Sequence, residues 1–208
     1  MNLKRMPWER PPQSGIPNRP GDNSPESIYC ALGRSLSAWE GVNAALDSLF
    51  YSLQSRINPG EIENSIKTFA TVHKTHDRAK SIREAADEFL MGDFGEERAK
   101  AAKIRKKLKS TLARYVGWVA RRNDLAHGYV TEAQGPDYTL DEQPIVTSYA
   151  LLPSHARPDR WYNSEPDWNY LALEIFEFAQ HFSHLDDTLE GLAVTVSELG
   201  EFRTQTNG

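Results

Sequence analysis

The stretch 171–199, LALEIFEFAQHFSHLDDTLEGLAVTVSEL, decides the fold class. Its large apolar residues, Leu171, Ile175, Phe178, Phe182, Leu185, Leu189, Leu192, Val196 and Leu199, recur at alternating steps of four and three. That spacing keeps one face of an α-helix apolar, whereas a half-buried strand would alternate at every second residue. The same period extends upstream. Ile28, Leu32, Leu36, Trp39, Val42, Leu46, Leu49 and Leu53 predict a helix over 24–56, opened by Ser24-Pro25-Glu26 and ended by Asn58-Pro59-Gly60. Ile62, Ile66, Phe69, Val72, Ala79, Ile82, Ala86 and Phe89 predict a second helix over 62–89, interrupted in the β-branched and His-rich stretch 71–76. After a turn at 92–95, Ile104, Leu108, Leu112, Tyr115, Val116 and Val119 predict a third, ending at Gly128, a residue suited to a left-handed cap.

Four long amphipathic helices, none apolar all round, predict an all-α protein built as an antiparallel four-helix bundle. Between 129 and 166 the pattern changes to Gly, Pro and Asp punctuation around short β-prone runs such as 145–152. A short hairpin-like excursion before the last helix follows from that change. Residues 1–23 hold five prolines and four basic side chains with almost no apolar periodicity, which predicts an extended Pro-rich arm, mobile by default. The expected organisation is therefore an arm over 1–23, one helical domain over 24–200 and a flexible tail over 201–208.

Composition narrows the function classes. Of 208 residues, 39% are hydrophobic and 25% charged, enough for a core. No apolar run approaches the roughly 18 residues of a spanning helix, and the N-terminus lacks the apolar stretch of a secretory signal, so a cytoplasmic protein is expected. Cys30 is the only cysteine, which excludes an intrachain disulfide or a multi-thiolate metal site. His73 and His76 with Asp77, and Glu177, His181 and His184 with Asp187, are spaced to share helix faces, but neither set makes a bundle-interior metal motif. No metal or cofactor is expected. Phosphate-binding glycine loops are absent.

The net charge of -5 conceals a strong polarity. Segment 98–122 has ten Lys or Arg and no acid, and the rest of the chain sets 14 basic residues against 29 acidic ones. Segment 164–202 has nine acids and no Lys or Arg. Either the two segments neutralise each other within the fold, or the basic one faces a polyanion.

The third helix closes on Arg121-Arg122-Asn123-Asp124-Leu125-Ala126-His127-Gly128-Tyr129. The R-x4-H pair Arg122 and His127, with its polar residue after the Arg and its place at the end of the third helix, resembles the signature of the HEPN superfamily. The resemblance in element order covers about 24–200, and letter by letter only 121–129. It implies a metal-independent endoribonuclease, a toxin or defence effector, acting on RNA as a homodimer. The alternative is a non-catalytic HEPN-like module that binds a nucleotide, an RNA or a partner protein.

The residue chemistry suits that implication. Cleavage through the 2′-hydroxyl needs a base, an acid for the leaving 5′-oxygen and positive charge at the phosphorane. His127 would be the acid/base and Arg122 the cationic fork. Asn123 would orient the imidazole or the phosphate. Asp124 would cap or pair with a neighbouring Arg, and Arg114 and Arg121, with Lys106 and Lys107 behind them, would contact backbone phosphates. One histidine cannot easily serve both sides of the phosphorus at once, so a two-fold dimer supplies the second. Residues five apart on an ideal helix diverge by about 140°, so Arg122 and His127 converge only if the helix frays at 126–128. Tyr129 extends the match to R-x4-H-x-Y, resembling HEPN toxins paired with a nucleotidyltransferase antitoxin that modifies the tyrosine. In the plainer alternative, Arg122 pairs with the acidic last helix and His127 bonds the helix terminus. Trp161, Tyr162, Trp168 and Tyr170 would cover the open end of the bundle or stack on bases.

Overall fold

The computed structural model describes residues 5–16, 19–92, 94–133, 148–162 and 165–205. Among them are five α-helices: α1 (Pro25–Ile57), α2 (Ile62–Ala70), α3 (Thr75–Leu90), α4 (Arg98–His127) and α5 (Ala172–Gln205). Strands β1 (Tyr129–Ala133) and β2 (Ser148–Leu152) form an antiparallel pair, and β3 (Trp161–Tyr162) and β4 (Glu165–Pro166) form a second, minimal one. The chain is mainly helical with a small antiparallel hairpin. The expected break in the second helix is real and divides it into α2 and α3. Residues 134–147 lie outside the described set, and with them the Ile145, Val146 and Thr147 part of the β-prone run. Of the predicted tail, α5 includes 201–205, and 206–208 are also outside that set.

Contacts group the chain into two compact units, one of residues 1–38 and 120–181, the other of 39–119 and 182–208. The boundaries fall inside α1, α4 and α5. In the second unit the core is helical and aromatic. The Trp39 ring stacks on Tyr115 at 5.5 Å and meets Phe182 edge-on at 5.0 Å, while Trp118 meets Phe182 edge-on at 5.8 Å. Such pairs add to the stabilisation from buried area. Leu185, Leu189, Leu192, Val196 and Leu199 are all buried, as the step of four and three requires. The α4 stripe differs from expectation. Trp118 is fully buried whereas Val116 is 37% exposed and Val119 half-buried. The larger ring occupies the inward position because it buries far more apolar surface than a valine.

In the first unit, Ser24 Oγ accepts the Glu26 backbone N–H at 3.1 Å, the expected cap of α1. Ala31 and Ser35 are buried there, and Leu32 and Leu36 only half-buried. Ser35 can sit inside because its hydroxyl donates to the Ile175 carbonyl at 2.7 Å. Both edges of β2 are bonded. One pairs with β1, from Tyr129 opposite Leu152 to Ala133 opposite Ser148. On the other, Tyr149 exchanges two 2.8 Å hydrogen bonds with Asp22, and Leu151 exchanges two of 2.9 Å with Tyr170.

The described part of the arm is therefore built into the unit, in place of the expected mobile tail. Its arginines hold it. Arg19 binds both carboxylate oxygens of Glu174 and donates to the Asn169 carbonyl at 2.7 Å, and Asp22 accepts the Ala172 N–H that opens α5 at 2.8 Å. Proline supplies no apolar period, so periodicity could not reveal this docking. No helix among the described residues is long and apolar enough to cross a membrane.

Candidate functional site

The C-terminal turn of α4 carries the candidate residues because of how its sequence divides between faces. Arg121, Asp124 and Leu125 lie on the inward side, and Leu125 is buried at 2% exposure. Asn123 and His127, four apart, share the outward face and are exposed. The helix stays regular to its end, where the Gly128 N–H donates to the Asp124 carbonyl at 2.9 Å. No fraying brings Arg122 round to His127.

Gly128 is not a left-handed cap. Among the described glycines the positive φ belongs to Gly95, at 50°. Gly128 is needed for closeness instead: a Cβ there would lie 2.9 Å from Leu151 Cγ and Cδ1 and 2.9 Å from the Asp124 carbonyl oxygen. The missing side chain lets β2 press against the end of α4.

A cavity of about 470 Å³ opens beside this turn. Its wall includes Arg121, Asn123, Asp124 and His127 from α4, Ser154, Arg157 and Arg160 from the segment after β2, and Trp168. Four of the seven expected site residues therefore meet in one place. Arg122, Arg114 and Tyr129 are not among the lining residues. Arg122 is half-buried, its Nε buried without a described partner, and it donates from Nη1 to Asn123 Oδ1 at 3.2 Å. Arg114 is half-buried and belongs to the other unit, where Lys106 and Lys107 are exposed.

Asp124 is the hub of a buried polar network. The Tyr170 hydroxyl donates to Asp124 Oδ2 at 2.8 Å and accepts from Arg121 Nη1 at 3.0 Å, while Arg121 Nη2 lies 3.1 Å from the same carboxylate oxygen. Arg10 of the arm adds Nε to Asp124 Oδ2 at 3.3 Å and Nη1 to Asp167 Oδ2 at 3.1 Å. Burial, followed by the Asp124 charge, pushes the Tyr170 hydroxyl far above the usual phenol range, so it stays a neutral donor. Burial lowers the Arg121 pKa, and its neighbours Tyr170 and Asp124 oppose that shift. The expectation that Asp124 pairs with a neighbouring arginine holds, with Arg121 and Arg10 as its partners.

Tyr129 opens β1 and shares a 2.7 Å hydrogen bond with Nε2 of His155, whose ring stacks on Trp161 at 4.4 Å. Burial raises the Tyr129 hydroxyl above its ordinary value. Trp168 and Tyr170 are buried and stacked on each other at 4.5 Å. Of the four aromatics proposed to cover or stack, Tyr162 stands most exposed, at 77%.

Arg157, Arg160, Ser154 and the docking role of Arg10 escaped motif reading. One signal was present: Arg157 and Arg160 are the only basic residues between 123 and 202, three apart in an otherwise acidic region. No group of three His, Cys, Asp or Glu side chains among the described residues is placed to hold a metal ion. Comparison of the chain with family models, with curated proteins and with solved structures returns no match.

Proposed function

We propose that this chain is a metal-independent endoribonuclease of HEPN-like design, working as a homodimer in a toxin or defence role. In this scheme α1, the broken pair α2 and α3, α4, and α5 correspond to the four helices of that bundle. The observation that carries the proposal is the position of His127. It is exposed at the last residue of α4, on the wall of a cavity that also receives Asn123, Arg121, Arg157 and Arg160.

A histidine there can take the 2′-hydroxyl proton as that oxygen attacks phosphorus. The P–O5′ bond then breaks, leaving a 2′,3′-cyclic phosphate, and a second histidine returns a proton to the departing 5′-oxygen. That second group is the partner subunit's His127. The roughly 140° between side chains five apart on a regular helix is accommodated in the same way, with the partner subunit's Arg122 serving the phosphate beside a given His127. Asn123 orients the arginine that it bonds.

The test is cleavage of RNA in the presence of chelator by purified protein, compared with His127→Ala. Loss of about a hundredfold or more is expected for an acid/base group, with helical spectrum and oligomeric mass unchanged. Undiminished cleavage in the variant would refute the assignment. A second reading is favoured by the absence of Arg122 from the cavity wall: a module that holds RNA or a nucleotide without cutting it. Binding that weakens steeply with salt, and no cleavage by the wild type, would select it.

A further inference from the structure

The wall of the cavity beside His127 carries three arginines, an asparagine and a serine. Trp168 Nε1 and Arg121 Nε are buried without a partner among the described residues and are closed off from the cavity space, so the donors a ligand can reach lie elsewhere on the wall. Arg157 commits Nε and Nη2 to Asp159 at 3.0 and 2.9 Å, and Arg160 commits Nη1 to Asp167 at 3.3 Å. Arg157 keeps Nη1, and Arg160 keeps Nη2, without a described partner, while Arg160 Nε lies 3.6 Å from Asp159 Oδ2. Ser154 Oγ accepts the Ala156 N–H at 3.2 Å and so retains its own proton to donate.

Acceptors are scarce by comparison. Asp124 is the one carboxylate on the wall, and it already receives Tyr170, Arg121 and Arg10. Four arginines (Arg10, Arg121, Arg157 and Arg160) stand against three carboxylates (Asp124, Asp159 and Asp167), so the cluster keeps a net positive charge that a ligand with acceptors and negative charge would answer. Such a ligand does not need to bring a base to stack, because the Trp168 ring is occupied by Tyr170 at 4.5 Å and by the Arg10 guanidinium at 5.5 Å. A tetrahedral oxyanion meets these conditions, and about 470 Å³ holds a phosphate with the sugar attached to it.

We propose that this cavity is a phosphomonoester subsite, with Arg157 and Arg160 as its selective residues and Ser154 and Asn123 as further donors. The phosphate comes from an RNA terminus or from a small free phosphomonoester. The subsite deepens the RNA-directed function proposed above and rests on it only for the first of these sources.

The full chain would be titrated with inorganic phosphate by calorimetry or NMR, alongside Arg157→Ala/Arg160→Ala, with thermal melting as the check on folding. Saturable binding by the wild type, weakened about tenfold or more in the double variant, is expected from loss of charge-assisted hydrogen bonds. If the double variant melts abnormally, Arg157→Ala, whose side chain is 60% exposed, carries the comparison. RNA oligonucleotides ending in 5′-phosphate, 3′-phosphate or hydroxyl separate the sources. A preference for one phosphorylated end that vanishes in the variant assigns an RNA terminus, and equal binding of all three ends beside retained phosphate binding assigns a small phosphomonoester. Absence of phosphate binding by the wild type, or equal binding by the variant, overturns the subsite. Internal cleavage is read separately, so its absence counts against the nuclease alone.

Discussion

At Gly128 a single hydrogen atom in place of a methyl group allows β2 to reach the end of α4. The neighbour that a side chain would meet is Leu151, itself fully buried, and the third contact is backbone oxygen. Neither can retreat cheaply in a close-packed interior. Gly128→Ala should therefore destabilise the protein by about 1–3 kcal/mol, measured by urea denaturation. A cap in the left-handed region would have given a strain penalty without the steric one. The pair is distinguished by Leu151→Ala, which opens space and should make the alanine at 128 less costly in the double variant than in the single one. The motif letters around this glycine were legible as a helix end, but its reason was not. Steric closeness to a residue 23 positions later leaves no local trace in sequence.

The elements tell a similar story of local rules with remote exceptions. The apolar period of 171–199 returned the buried face of α5 because a helix repeats its contacts every few residues, whatever it packs against. The arm had no such period, and its docking depends on single pairs. Arg19 and Glu174, each about one-tenth exposed at the side chain, are the strongest of them. Removing one member of a buried pair leaves the other charge uncompensated, so Arg19→Ala should cost about 3–5 kcal/mol in chemical denaturation. Because Arg19 also bonds Asn169, the same variant should expose the arm to limited proteolysis, with cleavage appearing before the helices are cut. An unchanged digestion pattern would show that Asp22 and Arg10 suffice to hold it.

For the whole molecule, the proposed chemistry makes assembly a requirement. One chain offers one His127, and the two-sided proton transfer needs two. Light scattering should therefore return twice the chain mass of 23.5 kDa, and a monomer would remove the basis for the composite site. The segregated charge bears on the same scale. Arg105 pairs with Asp87, Lys100 with Glu97 and Arg121 with Asp124, while Lys103, Lys106, Lys107 and Lys109 are exposed. Pairing thus answers part of the basic segment and leaves exposed lysines along α4.

Sequence alone determined that this chain is mainly helical, where α1 begins and ends, where α4 ends and which end of α4 carries the titratable cluster. These properties follow from periodicity, capping and punctuation, all of which act over one or two helical turns. Only the tertiary structure decided that Arg122 stays off the cavity wall, that Arg157 and Arg160 arrive on it, and that Tyr170 and Arg10 converge on Asp124. Those partners lie some 30 to 115 residues away along the chain. Their meeting is set by packing and by the satisfaction of buried charge, which no short-range pattern encodes.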